Sequence, residues 1–299
     1  MSTAGAYLQD QVSVLFTGVG AGGSVSILKA LREISGIYLV GVDADWLSAG
    51  RYLVDTFYTV PPAAHGEYIP ELLRLCRRER INVVVVSVDE EISALAKQQT
   101  KFAAAGTKLT ISDAEYTLLC MDKLRFYHHM KDNFNLPPLV GKHITKPRFG
   151  RGSAGISIDI DAPGCLTQQF IEGDEYTVDV LRAADGVFLA TVPRLRIETE
   201  SGLSVKGRTV QHEELISITQ EVITFLGLWG AANVQWIVDA DGIPWLIEVN
   251  PRLAGGVALT VAAGANIPAG LVRLFNGEQV APMDFKEMTM LRYWSAVYV

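Results

Sequence analysis

Residues 246–256 read LIEVNPRLAGG. Leu246, Ile247 and Val249 give the apolar run of a strand, but Glu248 interrupts it, and Asn250, Pro251, Arg252 and a glycine pair follow. Along a strand, residues two apart point to one face, so a strand continued to 252 sets Glu248, Asn250 and Arg252 side by side. Glu and Asn carry the hard oxygens that suit Mg2+. An arginine beside them can grip a phosphoryl group with two hydrogen bonds. Upstream, NVQW (233–236) leads into DADG (239–242), and DG between two apolar runs signals a hairpin. The hairpin 231–252 then brings Gln235 to the same spot. A polar sheet face open to water would explain these residues too, but their neighbours are strongly apolar.

Further upstream lies KPRFGRGSAG, residues 146–155. Lys146 ends a short strand, and the glycine-rich loop after it has backbone N–H groups able to cradle phosphates. It is no Walker A motif, because the lysine precedes the glycines. A plain hairpin turn is the other reading. QQFIEGDEYTVDV (168–180) holds two strands about an EGDE turn. Alternation puts Glu175, Thr177 and Asp179 on one face, where a carboxylate could bind ribose hydroxyls or simply decorate a surface hairpin. In PRLRIETESGLSVKGRT (193–209), Arg194 and Arg196 share a strand face, and Lys206 and Arg208 follow a glycine-containing loop. These four cations suit an acidic substrate or an acyl phosphate; a solvated hairpin accounts for them equally well. His212 reads as a helix cap before a general base.

The first 112 residues alternate strands with helices: 12–17, 37–43, 81–89 and 107–112 as strands, 25–34, 68–80 and 91–102 as helices. That pattern predicts a doubly wound parallel sheet. After the first strand, Gly18, Gly20 and Gly23 satisfy G-x-G-x-x-G, with Asp43 at the distance expected of a ribose-binding acid. An NAD-type oxidoreductase is therefore one reading, although small residues also serve tight strand-to-helix packing. It leaves Glu248, Asn250 and Arg252 unexplained. The middle differs: a helix over 122–134 stopped by LPP (136–138), short strands to 182, then a helix over 213–226 among strands.

The chain has 299 residues, 49% hydrophobic and 20% charged, with net charge −7. The acidic balance speaks against a nucleic-acid partner. The one basic cluster, Arg74, Arg77, Arg78 and Arg80, lies on an amphipathic helix as a solvated face. No apolar run reaches the roughly 18–20 residues of a membrane span, and MSTAGAYLQDQ lacks the features of a signal peptide. Cys76, Cys120 and Cys165 show no paired framework. A cytoplasmic protein is expected. A homodimer is compatible with the sequence, which identifies no interface.

Taken in order, DK (122–123), KPRFGRGSAG, QQFIEGDEYTVDV, NVQW and IEVNPR (247–252) resemble the ATP-grasp superfamily, in its carbamoyl-phosphate-synthase-like group of carboxylate–amine ligases. The resemblance spans about residues 1–280 and implies an α/β chain: a Rossmann-like N-terminal domain (1–112), a small lid subdomain (113–181) and a large subdomain (182–299), the last two forming an α+β ATP-grasp fold. It implies ATP and Mg2+ as cofactors, with Mn2+ an admissible substitute, and small carboxylate and amine substrates. Lys123 and Lys146 would contact phosphates, and Gly150, Arg151, Gly152 and Ser153 would close over them. Gln169, Phe170 and Ile171 would meet adenine, and Glu175 the ribose. Gln235, Glu248 and Asn250 would hold the metal, with Gln235 also touching ATP. Arg252 and Lys146 would stabilise the reacting phosphates. The first glycine loop, Gly20 included, becomes fold packing or a wall of the acceptor pocket with Arg194, Arg196, Lys206 and Arg208. Two features depart from the family. The chain between Lys123 and Lys146 is short, which keeps open a non-catalytic ATP-binding protein of the same fold. Gln168 and Gln169 stand where relatives often carry a Glu.

Overall fold

The computed structural model describes residues 12–139, 143–149, 157–158, 165–293 and 295–298. Its first unit is a five-stranded parallel sheet of β1 (Ser13–Thr17), β2 (Tyr38–Asp43), β3 (Thr56–Thr59), β4 (Val83–Val85) and β5 (Lys108–Leu109), in the order β3-β2-β1-β4-β5. Helices α1 (Ser24–Leu31), α2 (Tyr68–Arg78), α3 (Asp89–Leu95) and α4 (Gln99–Ala103) connect them. β1 and β4 are buried on both faces, as uninterrupted apolar runs require. The expected alternation is present, with three differences. β3, a short TFYT segment, joins the sheet edge. The run 81–89 contributes only its centre to β4, because the chain turns at Val88 to start α3. The helix expected over 91–102 is divided by a 3-10 turn at Ala96–Gln98.

Two helices follow, α5 (Ala114–Met121) and α6 (Lys123–Met130), the second stopping short of the 134 expected. Asp122 sits between them. It caps α6 by accepting from the Arg125 N–H, and it accepts from Arg148 Nε and Nη2 at 2.8 and 2.7 Å. That fork ties α6 to the end of β6 (His143–Pro147), which pairs antiparallel with β7 (Ser157–Ile158) and β8 (Cys165–Gln169). The loop Gly150–Gly155, with the phosphate-binding expectations for Gly150, Arg151, Gly152 and Ser153, lies outside the described residues.

The third unit is a six-stranded antiparallel sheet built from β9 (Asp174–Arg182), β10 (Phe188–Glu200), β11 (Leu203–Thr209), β12 (Gly230–Val238), β13 (Pro244–Asn250) and β14 (Met288–Leu291). Its order is β13-β12-β9-β10-β11-β14. β9 lies at the centre of this sheet, so the chain passes from the small sheet to the large one between Gln169 and Asp174 rather than at 181. Helices α7 (Glu213–Phe225), α8 (Val257–Ala262) and α9 (Ile267–Asn276) complete the unit.

Three apolar cores hold these parts. One lies under α2 and α3 in the first unit. One joins α5, α6 and α7 to the large sheet around Trp236, whose indole N–H donates to Thr219. The remaining core is shared: Phe16, Ile27 and Leu31 of the first unit pack with Val192, Val257 and Leu271 of the last. The first and third units are thereby one body. At their seam the backbones of two glycine loops touch: a Cβ on Gly23 would stand 2.5 Å from the Gly255 Cα. Neither backbone can yield without moving its unit. Gly23→Ala is expected to destabilise the protein by about 1–3 kcal/mol in urea denaturation, whereas Gly22→Ala, whose methyl meets Leu203 at an ordinary 3.8 Å, should leave the midpoint unchanged.

Candidate active site

The large sheet explains why apolar strands carry polar residues. Glu248 pairs with Gln235, Gln235 with Thr177, and Thr177 with Arg194, a polar row across four strands. A second row runs from Asn250 through Asn233 to Asp179. The intervening residues, Val178, Val180, Val234 and Trp236, face the α7 core. Asn250 Nδ2 donates to Glu248 Oε1 at 2.9 Å and to Asn233 Oδ1 at 3.3 Å; a cation on Glu248 requires this amide in its flipped orientation, with the oxygen facing the ion.

Arg252 does not continue this face. β13 ends at Asn250, Pro251 bends the chain, and the Arg252 N–H donates to the Asn250 carbonyl at 2.8 Å. Its guanidinium reaches the first unit instead, where Nε and Nη2 donate to the Asp89 carboxylate. The side chain still returns to the same cavity by this different route.

Two cavities flank the polar rows. The larger, about 500 Å3, is lined by Lys123, Lys146, Gln169, Phe170, Ile171 and Glu175 among others. The smaller, about 210 Å3, is lined by Arg194, Arg196, Asn250 and Arg252 and by the glycine loops at 21–24 and 254–256. Arg196, Gly202, Gln235 and Glu248 line both. Lys146 is almost wholly buried, and burial pulls its ammonium below the usual lysine range; the nearby Glu248 carboxylate opposes that and Lys123 adds to it. Lys123 Nζ lies 3.8 Å from Glu248. Glu175 is ion-paired with Arg196. The Gln169 N–H donates to the Pro138 carbonyl at 2.6 Å.

Among the described residues, no three His, Cys, Asp or Glu gather as a metal site. The oxygens of Gln235, Glu248 and Asn250 offer one carboxylate and two amides. That set fits Mg2+, which is commonly held by one or two carboxylates with substrate phosphates and water supplying the rest.

Three expected residues stand elsewhere. Lys206 and Arg208 are exposed on the face opposite Arg194 and Arg196, because Arg208 pairs in register with Leu195; Lys206 is ion-paired with Glu198. Gly20 lies outside the lining of either cavity, and its N–H donates to Asp43 at 2.7 Å. Asp43 also accepts from the Asp45 N–H. The acid of the dinucleotide pattern thus braces its own loop, while residues 21–24 of that loop wall the smaller cavity. His212 caps α7 through Nδ1. Asp89 escaped the sequence reading, since its partner lies 163 residues away.

This architecture, with a parallel-sheet unit fused to a large antiparallel sheet and a small sheet covering a nucleotide-sized cavity, defines an ATP-grasp ligase fold. Residues 161–296 match the family described as ATP-grasp in the biosynthetic pathway with Ter operon, and residues 14–110 match the PylC-like N-terminal domain. The chain thus carries an ATP-grasp family match over residues 161–296 behind a PylC-like N-terminal match. It is similar to N5-carboxyaminoimidazole synthetase from Staphylococcus aureus, complexed with ADP, at 13% identity, 94% coverage of this chain and 82% of that one, and TM-score 0.75. The biotin carboxylase domain of Hydrogenobacter thermophilus 2-oxoglutarate carboxylase, in complex with MgADP, ADP and bicarbonate, is similar at 15% identity, 91% and 72% coverage and TM-score 0.74. Uncharacterized protein y4rH of Sinorhizobium fredii (strain NBRC 101917 / NGR234) is 26% identical over 136 residues, 38% of this chain and 28% of that protein's length. No helix among the described residues is long and apolar enough to cross a membrane.

Beneath the smaller cavity, the Ser87 hydroxyl donates to the Thr17 carbonyl at 2.7 Å, and the Thr17 hydroxyl donates to Glu91. Burial pushes the Glu91 carboxyl up from 4.5 to about 7 against the pull of that hydrogen bond. The folded protein therefore keeps a proton that the unfolded chain has lost between those values, and stability should fall as pH rises through that window. The expected loss is at most about 3 kcal/mol. Urea denaturation at about pH 5 and about pH 8 should show this slope in the wild type and a flatter one in Glu91→Gln; parallel slopes would contradict it.

Proposed function

We propose that the protein is an ATP- and Mg2+-dependent ligase that activates a small carboxylate as an acyl phosphate for attack by an amine or another nucleophile. The observation that carries this is the common wall: a nucleotide-sized cavity and a small polar cavity meet at Arg196, Gln235 and Glu248. A phosphoryl group held at that wall faces both a nucleotide and an acid.

ATP occupies the larger cavity. Lys123 and Lys146 neutralise its phosphates, Gln169, Phe170 and Ile171 border the adenine, and Glu175 takes the ribose by leaving Arg196. Exclusion of water protects an acyl phosphate from hydrolysis, and that is the role expected of Gly150–Gly155. Gln235, Glu248 and Asn250 would hold Mg2+, which would supply charge neutralisation for the transferring group. The acid lies in the smaller cavity. Its oxygen attacks the γ-phosphorus as the bond to ADP breaks. The amine nitrogen then attacks the acyl carbon, phosphate leaves with the bonding pair, and the amine loses its proton. Phosphoryl transfer needs mostly positioning and charge neutralisation. Arg252, held by Asp89, supplies both on the acid side. Three free cysteines and the use of ATP support a cytoplasmic setting for this chemistry.

The test is ADP release from Mg-ATP by the purified protein with pooled carboxylic acids and amines. Glu248→Gln should lower pool-dependent release by roughly a hundredfold with an unchanged melting temperature. Full release by the variant would remove the metal assignment. ATP binding by the wild type without release, for any pool containing short acids and amines, would leave a nucleotide-binding protein in place of a ligase.

A further inference from the structure

The smaller cavity has positive charge beyond what its own acids balance. Arg194 is 2% exposed, and its Nε and Nη2 donate to Asp179 at 2.8 and 2.9 Å. The Thr260 hydroxyl donates to the same carboxylate. Nη1 is left lying over Gly256, where a Cβ would stand 2.7 Å from it. Arg292, just past β14, reaches the Gly255 carbonyl at 3.4 Å through Nη2. Among the described residues no acid pairs with Arg292. Burial, and then the charge of Arg194, hold its guanidinium below the ordinary arginine range. Two guanidinium groups thus meet the Gly255–Gly256 loop, and among the described residues only Arg194 has a paired carboxylate. The N-terminal end of α1, where residues 21–24 line the cavity, adds the positive end of a helix dipole.

Arg196 is a separate station. Its side chain is 7% exposed, Nη1 bonds Glu175, Nη2 donates to the Gly202 carbonyl at 2.8 Å, and Nε is buried with no hydrogen-bond partner. Arg194 and Arg196 lie two residues apart on one face of β10, about 7 Å along the strand. Arg196 belongs to the wall shared with the ATP cavity; Arg194 lines the smaller cavity alone. Ile27, Leu203 and Leu253 supply the apolar lining between loops.

We propose that the substrate of this cavity is a short aliphatic dicarboxylate. One carboxylate sits at Arg196, where it is phosphorylated. The other is held by Arg194 and the start of α1, with Arg292 adding positive charge from its place at the Gly255 carbonyl. The proposal rests on the ligase reading and names the acid for it. Unpaired donors and repelling cations are costly when buried, and a second carboxylate relieves both. The volume of about 210 Å3 restricts the acid to a few carbons.

The test is calorimetric binding of succinate, glutarate, L-aspartate and L-glutamate against butyrate and L-alanine at matched ionic strength, alongside ADP release with the same acids. The dicarboxylates should bind roughly tenfold more tightly or better. Arg194→Lys keeps a charge beside Asp179 but withdraws Nη1. Gly22→Ala adds a methyl to the cavity wall. Each should shrink the preference several-fold, Gly22→Ala with little change in melting temperature and Arg194→Lys with a lowered one, because it breaks the buried fork to Asp179. Equal binding of the two acid classes, or a preference untouched in both variants, would overturn the proposal. Dicarboxylate preference with no ADP release would sink the ligase reading and leave the binding site standing. ADP release driven by the monocarboxylates alone would do the reverse.

Discussion

The pairing of β9 with β12 at the centre of the large sheet decides what every other functional residue can do. Asn233 faces Asp179 and Gln235 faces Thr177 across that ladder. β13 extends the rows to Glu248 and Asn250, and β10 extends one of them to Arg194. Side chains alternate strictly along a strand, so a slip of one residue at this pair would bury the polar rows in the α7 core and send Val178, Val180 and Val234 to the cavity. The register is held because the apolar side has no tolerance. Trp236 is fully buried and its N–H is satisfied by Thr219. Packing on one face therefore sets the chemistry on the other.

Three arginines of the site each have an acid beside them: Asp179 for Arg194, Glu175 for Arg196, Asp89 for Arg252. Such pairs contribute little net stability once desolvation is counted, but breaking a buried one is costly, and the forked geometry fixes the guanidinium plane. Their value here is orientation. The three acids also differ in kind. Asp179 is buried and permanent. Asp89 belongs to the first unit, so the shared core fixes Arg252 as firmly as its own loop does. Glu175 is partly open and lines the larger cavity, so a ligand there can compete for it. Occupation of one cavity is thereby connected to the freedom of the cation that serves the other.

Much of this was legible in the sequence wherever the signal was local. The alternation of strands and helices, the 231–252 hairpin and the polar residues of β9, β12 and β13 follow from periods of two and of about three and a half. Failures came where geometry departs from a continued element. Arg252 lies past Pro251 and reaches the site through Asp89. A bulge between Arg196 and Glu198 and the antiparallel register place Lys206 and Arg208 on the wrong face. Gly18, Gly20 and Gly23 satisfied a dinucleotide pattern, yet Asp43 is consumed within its own loop and Gly23 is pressed on Gly255. A spacing pattern records that small residues are needed, not whether a ligand or another backbone needs them. Asp89 could not be found by any local rule, because its partner is distant in the chain.

The same distinction bears on the EGDE turn, residues 172–175. From sequence it could be an acidic surface hairpin. In the fold it is where the chain leaves the small sheet and enters the large one. A Cβ on Gly173 would stand 2.2 Å from the Val238 carbonyl oxygen, so the turn is seated directly on the end of β12. The residues beside it, Gln169 to Ile171, border the larger cavity, and the Gln169 N–H is tied to Pro138. The small sheet thus connects to the rigid body at an anchored glycine on one side and, through Arg148 and Asp122, at α6 on the other. α6 begins with Lys123, which faces Glu248. Any displacement of the small sheet must then act on Lys123 and on the segment Gln169–Ile171 together, while the smaller cavity, built wholly within the fused first and third units, keeps its shape.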